Sequence, residues 1–495
     1  MEFQSTRDVN KKTYSSAQVI KQGLADDGGL FVPCNIPQLA MTDIEELSMR
    51  KYYRRTAKIL NRFLNDYTIE ELKDDCHDAY DGESFPGGAA PIVKLTDSLY
   101  SLELWHGPTA AFKDMALQIM PRLLSRALDK TNEKKTALIL VATSGDTGKA
   151  ALEGYRDIDK IKIMVFYPEH GVSSVQKLQM TTQCGNNVNV CGINGNFDDA
   201  QNGVKQIFSD KTVAKALADK GYFLSSANSI NWGRLAPQIA YYFSAYCDMY
   251  NNGTIKLGEK INVCVPTGNF GNIFAAYIAK MMGLPIKKLI CASNSNNVLT
   301  DFLHTGIYNR NRDFHMTMSP SMDILISSNL ERLLYFVAGS EKTLEYMNSL
   351  SKSGKYKIDE ETKAALDKSF KGYFADEKMT TETIHKYWTE YNYLIDPHTA
   401  VAFSCAEQYI TETGDTTKTV ITSTASPYKF AKDVLAALSD EKPENDIAAL
   451  DMLNKLTGVE IPYPLRNIDK RQINFKNVID SKDMLKSVLA YVDKQ

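Results

Sequence analysis

The chain has no C-x-x-C, no H-E-x-x-H and almost no charge imbalance. Its eight cysteines (Cys34, Cys76, Cys184, Cys191, Cys247, Cys264, Cys291 and Cys405) are scattered without a repeating interval. That excludes a disulfide framework and a zinc-finger pattern and leaves reduced core thiols as the expectation. The seven histidines form no ligand pair, so no metal is expected. Lys and Arg number 57 against 60 Asp and Glu, a formal net charge of −3. With no basic stripe there is no electrostatic case for nucleic acid. No apolar run approaches the roughly 20 residues needed to cross a bilayer. The opening MEFQSTRDVNKKTYSS has no apolar signal stretch. No membrane association and a cytoplasmic location are expected.

What is present is a globular composition, 43% hydrophobic and 24% charged, over 495 residues. That is too long for one ordinary domain. Residues 1–95 mix short helical patterns, such as 44–64 and 69–80, with loops. SFPGGAAP (84–91) is a Gly/Pro-rich junction. Beyond it, strand and helix patterns alternate. SLYSLEL (98–104), TALILVA (136–142), KIMVFYP (162–168), NVNVCGI (187–193), KINVCVP (260–266), KKLICAS (287–293) and TKTVITST (417–424) read as strands. KDMALQIMPRLLSRALDK (113–130) reads as one helix, and residues 340–395 as charged and helical. Strands apolar throughout, separated by helices, imply mostly parallel sheets covered on both faces. The expected division is an N-terminal domain (1–95), an α/β half (96–235), a second α/β half with a helical insertion (236–450) and a C-terminal segment (451–495).

Two places have the syntax of a ligand site on such a sheet: TALILVA-TSGDTG-KAALEG and KINVCVP-TGNFGN-IFAAYIAK. Each is a buried strand, a loop with two glycines, then a helix. Glycine lets backbone approach a ligand, and a helix start offers unpaired N–H groups to an anion. Neither is a common nucleotide motif. A Walker loop would need Gly at Thr143 and Ser or Thr at Ala150. In the first loop the Thr143, Ser144 and Thr147 hydroxyls, beside helix-start N–H groups, suit a carboxylate. Gly268, Asn269, Phe270, Gly271 and Asn272 suit a phosphate. A third cluster, SSANSINWGR (225–234), offers Asn228, Ser229 and Arg234 to another phosphate, or is simply the turn that caps a helix.

ELWHGPTAAFKDMAL (103–117) places Lys113 in an apolar setting beside Phe112. An amine, a carboxylate cradle and a phosphate cradle together suggest pyridoxal 5'-phosphate (PLP) acting on an amino acid. Such an amine must be partly deprotonated near neutral pH, which burial and nearby positive charge favour.

HGPTAAFKD (106–114), TSGDTG (143–148) and VPTGNFGN (265–272) resemble the threonine synthases, in their longer microbial branch. SAQVIKQGLADDGGLFVP (16–33), YPEHGVSSVQKLQM (167–180) and TASPYKF (424–430) are similar to that branch too, so the likeness runs over most of the chain. The resemblance implies an α/β fold of PLP fold type II, with two doubly wound halves and an N-terminal domain. It implies that Lys113 carries the cofactor as a Schiff base and then moves protons. It implies that Gly268, Asn269, Phe270, Gly271 and Asn272 grip the PLP phosphate and that the Thr424 hydroxyl faces the ring nitrogen. Thr143, Ser144, Gly145, Asp146 and Thr147 would receive the substrate carboxylate; Asn228, Ser229 and Arg234 would receive its phosphate. The sequence departs from the signature at Ser426, where a histidine is usual. Asp146 stands where many fold type II enzymes have asparagine. The implied reaction turns O-phospho-L-homoserine and water into L-threonine and phosphate, by a monomer or homodimer. The alternative on the same scaffold is a phospho-lyase or a serine/threonine dehydratase. His106 is read as catalytic or as a turn residue, and His398 as a helix cap or core residue or, alternatively, as lining the site.

Overall fold

The computed structural model describes residues 1–143 and 145–493. The N-terminal part pairs β1 (Phe3–Ser5) antiparallel with β2 (Phe31–Pro33) and adds four helices. The helix Ile69–Tyr80 matches the expected span. Thr68 and Glu71 form its capping box, each satisfying a backbone N–H that the first turn leaves unpaired. The apolar pattern at 44–64 is instead two helices, Met41–Ser48 and Tyr52–Asn61. Arg55 explains the break: its guanidinium donates to the carbonyls of Leu47 and Ser48, both at 3.0 Å, and to Asp248 at 2.6 Å. The second helix thus caps the end of the first and ties both to the helix Trp232–Asn251.

The chain next lays down β3 (Ile92–Lys94) and β4 (Leu99–Glu103). It then leaves them to build β5 (Thr136–Ala142), β6 (Ile161–Pro168), β7 (Val188–Asn194) and β8 (Tyr222–Ser225). It returns with β9 (Ile261–Pro266) and β10 (Ile286–Ser293), forms an antiparallel pair from β11 (Ile307–Asn309) and β12 (Lys355–Lys357), and adds β13 (Phe370–Phe374) and β14 (Thr419–Ser423). Last comes β15 (Val478–Asp480). Two large sheets result. One has the order β13-β10-β9-β14-β4-β3, parallel except for β3; the other, β15-β7-β6-β5-β8, is parallel throughout. The α/β class with mostly parallel sheets and an N-terminal domain is therefore as expected.

Several boundaries are not. β4 lies beside β14, not beside β5, so cuts near 95 and 235 do not separate the sheets. The segment FKGYF, inside the stretch read as helical, is β13: it pairs with β10 at the sheet edge, and Gly372 admits the Thr300 backbone at close range. Tertiary pairing overrides the local pattern there. The single helix expected over 113–130 is two, Asp114–Leu117 and Met120–Lys130, the second starting with Pro121 in its first turn. The C-terminal segment is no appendage. β15 extends the five-stranded sheet, and Met484, Val488 and Tyr491 of the final helix pack with Leu138, Met164 and Ile207.

The continuous apolar run of β5 reflects burial on both faces: Ala137, Leu138, Ile139 and Leu140 are all buried. Each of the larger side chains contributes about 1.5–3 kcal/mol by leaving water. The two sheets meet where the helix Asp146–Tyr155, which follows β5, packs on Asp114–Leu117, which follows β4. A Cβ at Gly154 would lie 1.8 Å from the Leu117 carbonyl oxygen. Gly154→Ala is therefore expected to cost about 1–3 kcal/mol through overpacking. A chemical denaturation midpoint equal to wild type would show that the helices tolerate separation.

Candidate active site

Three adjacent strands of the six-stranded sheet deliver one half of the site from their carboxyl ends. β4 leads to Lys113, β14 to Thr424 and β9 to the loop 267–270. The other half comes from neighbouring strands of the second sheet. β5 leads to residues 143–147, and β8 to 226–234. Carboxyl edges of parallel sheets are where such folds bind ligands.

The turn before Lys113 is closed by Asp114. Its carboxylate accepts from the Thr109 backbone N–H at 2.8 Å and from the Thr109 hydroxyl at 2.7 Å. A Cβ at Gly107 would collide with Asp114 at 2.6–2.7 Å, so glycine is required. Burial pushes the Asp114 carboxyl up to about 7, against the Thr109 bonds that favour its charge. Ala110 takes a left-handed φ of 59°, and Ala111 bridges to Ala425. Phe112 N–H donates to the Thr424 carbonyl at 2.8 Å, and Ser426 N–H to the Ala110 carbonyl at 3.0 Å. The lysine loop and the Thr424 loop are thus one short antiparallel ribbon.

Lys113 is buried; its Nζ lies 3.3 Å from the Ser321 hydroxyl, 3.5 Å from Asp146 Oδ2 and 5.1 Å from the Phe112 ring centroid. Burial lowers its pKa; Asp146 opposes this, and the charges of Arg234 and Lys429 add to it. Asp146 is shared. Its Oδ1 accepts from Lys429 Nζ at 2.8 Å and from Gln176 Nε2 at 2.9 Å. Burial alone would raise its carboxyl; Lys429 and Lys113 outweigh that and hold it well below the usual carboxylate range.

Loop 143–147 is braced from within. The Thr143 hydroxyl oxygen accepts from Gly145 N–H at 3.0 Å and Gly148 N–H at 2.9 Å. Those two donors, of which Gly145 belongs to the loop expected to face a ligand, are committed to the turn. A Cβ at Gly145 would lie 2.4–2.5 Å from the Gln176 amide, at φ 143°. Thr147 is half-buried in the first helical turn, and Ser144 lies outside the described residues.

The loop after β9 has the opposite polarity. Its carbonyls are tied down: Gly268 O accepts from the Ser327 hydroxyl at 2.6 Å, and Asn269 O from Asn329 N–H at 3.0 Å and Nδ2 at 2.9 Å. The N–H groups of Gly268 to Asn272 find no acceptor among the described residues. Phe270, at φ 62°, turns the chain into the helix Gly271–Met281. Asn272 Oδ1 accepts from the Tyr241 and Tyr242 hydroxyls, while its buried Nδ2 has no partner. Aligned free N–H groups at a helix start are an anion nest.

Arg234 is buried, donates to the Ala227 carbonyl at 2.7 Å and has no carboxylate partner among the described residues. Burial lowers its pKa to about 10, Tyr155 opposing. Asn228 is exposed, and its Oδ1 accepts from the Ser229 hydroxyl at 3.2 Å. The residue that caps the helix Trp232–Asn251 is Asn231.

Protein-family models match in three consecutive stretches: Threonine synthase N terminus over 2–80, Pyridoxal-phosphate dependent enzyme over 86–424, and Threonine synthase, C-terminal, over 399–485. The threonine synthase of Saccharomyces cerevisiae is 37% identical over 518 residues, covering 97% of this chain and 98% of the relative. The chain belongs to the threonine synthase family. Human Threonine synthase-like 1 is 38% identical across 97% of this chain, which spans 66% of that relative's length. The crystal structure of PLP-bound threonine synthase from Brucella melitensis superimposes with a TM-score of 0.88 at 35% identity, over 99% of this chain and 98% of that one.

Against the threonine synthase signature, Ser426 caps the short turn Pro427–Phe430, accepting from Tyr428 N–H at 3.3 Å. His106 turns to Glu103, with Nε2 2.7 Å from Oε2, and its ring stacks on Trp105. His398 Nδ1–H donates to Asp396 Oδ2 at 2.7 Å, while its Nε2 accepts the Ser321 N–H at 3.1 Å. It therefore holds the hydroxyl that touches Lys113. Lys429, Gln176 and Ser321 were not foreseen. Lys429 lies within the quoted TASPYKF, so a basic residue in a site signature was the available signal. Ser321 had none, because only the return of the chain after β10 brings it to the lysine.

A Cβ at Gly268 would lie 2.6 Å from the Ser321 carbonyl oxygen. Gly268→Ala is expected to cost about 1–3 kcal/mol at the nest, or roughly 10- to 100-fold in PLP affinity. PLP titration followed by visible absorption reads this; unaltered affinity in a folded variant would remove the loop from the cofactor site.

Proposed function

We propose that this chain is a threonine synthase, forming L-threonine and phosphate from O-phospho-L-homoserine and water in the last step of threonine biosynthesis. Arg234 carries the reading. A buried guanidinium with no carboxylate partner among the described residues, in the first turn of the helix that follows β8 of the other sheet, supports a second place for a phosphate beside the β9 anion nest. A dehydratase acting on an unphosphorylated amino acid has no use for it.

The residues present fit PLP. The N–H groups of Gly268 to Asn272 and the orphaned Asn272 Nδ2 would hold its phosphate. Lys113 would carry it through its amine, and the Thr424 hydroxyl would face its ring nitrogen. A hydroxyl does not keep that nitrogen protonated as a carboxylate would. Bound PLP supplies an electron sink for the pair left when a proton leaves the carbon beside the substrate amine.

The protein's own groups do the rest. The loop 143–147 receives the substrate carboxylate, and Arg234, Asn228 and Ser229 the substrate phosphate. Fixing both ends orients Cα and Cβ toward Lys113. Lys113 Nζ, once free, takes the Cα proton and serves the later transfers at Cβ and Cγ. Ser321, held by His398, fixes where that amine rests. Water must be excluded until phosphate has left and then admitted to Cβ. Closure of one sheet half on the other would achieve this. The residues named lie on one chain, an arrangement compatible with a monomer or a homodimer. All eight cysteines are unpaired, which suits the reducing cytoplasm.

Lys113→Ala is expected to abolish the visible absorption of bound PLP and threonine formation together, a loss on the order of 10³-fold or more. Threonine formation near the wild-type rate would refute the assignment. Arg234→Ala is expected to lower kcat/KM for phosphohomoserine roughly 10- to 100-fold and to leave PLP retention nearly intact. Equal loss of both would make Arg234 structural. Product analysis decides the chemistry: 2-oxobutyrate and ammonia in place of threonine would indicate a lyase or dehydratase.

A further inference from the structure

Two lysines approach one carboxylate at the site. Asp146 Oδ1 is 2.8 Å from Lys429 Nζ, and Oδ2 is 3.5 Å from Lys113 Nζ. Lys429 is immobilised. Its side chain is fully buried, and its three donors go to Asp146, the Thr109 carbonyl at 3.0 Å and Gln179 Oε1 at 3.2 Å. It therefore has no N–H left for a ligand. Among the described residues, the polar contacts of Lys113 are longer ones, to Ser321 and Asp146. From this geometry we infer that Lys429 is a positioning residue that draws the Asp146 carboxylate away from Lys113 and leaves the Lys113 amine free to react.

The electrostatics run the same way. A buried carboxylate beside one lysine alone would stabilise that lysine as an ammonium, which cannot act as a nucleophile or base. The second lysine neutralises the carboxylate at closer range and adds its own positive charge near the first. The groups facing Lys113 come from separate elements. They are Asp146 on the helix Asp146–Tyr155, Arg234 on Trp232–Asn251, Lys429 in Pro427–Phe430, and Ser321 in Pro320–Met322 with His398 behind it. Only Asp146 among them raises the lysine; burial, Arg234 and Lys429 lower it. Lys429 also reaches Asp114, whose charge it favours against burial. Asp114 is turned to Thr109 by two hydrogen bonds, so it does not replace Asp146 as a partner.

The inference rests on Lys113 being the reacting amine, but its test needs no turnover. Full-length protein freed of PLP is labelled with trace acetic anhydride across roughly pH 6 to 11, bracketing the lysine range. Acetylation of Lys113 is read by mass spectrometry as a function of pH. In wild type, Lys113 is expected to titrate below an ordinary lysine. Lys429→Met is expected to raise its midpoint by about one unit or more, a tenfold loss of free amine at a given pH below it. Adding Asp146→Asn to that variant removes the stranded carboxylate and is expected to return the midpoint to wild type or lower. Lys429→Arg is expected to stay near wild type. A merely structural lysine would not give this rise and reversal. A Lys429→Met midpoint unchanged or lowered in folded protein would overturn the inference, as would a double variant that stays elevated. If Lys429→Met does not fold, Lys429→Gln, which is neutral but still able to hydrogen-bond, is expected to show the same rise, and a folded Lys429→Gln without it would overturn the inference. The PLP spectrum of Lys113→Ala separately tests the reading of Lys113 itself.

Discussion

One carboxylate joins the two sheets at the site. Asp146 stands at the helix start after β5, while both of its cations, Lys113 and Lys429, lie beyond β4 and β14. A buried charge must be paired and hydrogen-bonded to be tolerable. Lys429, Lys113 and the Gln176 amide meet that requirement only when the sheets are held in register. The need to satisfy Asp146 therefore constrains the relative placement of the two halves, and with it the distance from the reacting amine to the loop that faces it.

The backbone supports the same arrangement. Phe112 and Ser426 exchange hydrogen bonds with Thr424 and Ala110 across an isolated bridge, so segments more than 300 residues apart behave as one ribbon at the carboxyl edge. Behind it, Asp396 orients His398, and His398 holds the Ser321 turn against both Lys113 and Gly268. Each reactive group is thus supported by a neighbour with no freedom of its own, the condition for preorganised chemistry.

Much of this was legible in one dimension. β5, β9 and β10 announced themselves as apolar runs because both of their faces are covered. The helix at 69–80 did so because its capping box satisfies the first-turn donors locally. The glycines of the β9 loop marked a nest, and its N–H groups find no acceptor among the described residues. The role of Thr143 was not legible. Its hydroxyl could equally have faced a ligand, and only the folded loop turns it onto Gly145 and Gly148. FKGYF could not be separated from its helical surroundings because its stability comes from β10, some eighty residues earlier.

The sequence by itself determined the alternation of strands and helices, the glycines where backbone must approach closely, and the family to which Lys113 belongs. These depend on side-chain periodicity and local sterics, which are written along the chain. Tertiary structure alone decided that β4 and β14 are neighbours, that β15 completes the other sheet, and that Lys429 stands beside Asp146. Those facts depend on long-range strand order and on pairing a charge inside a low-dielectric interior. Neither leaves a periodic trace in the residues between.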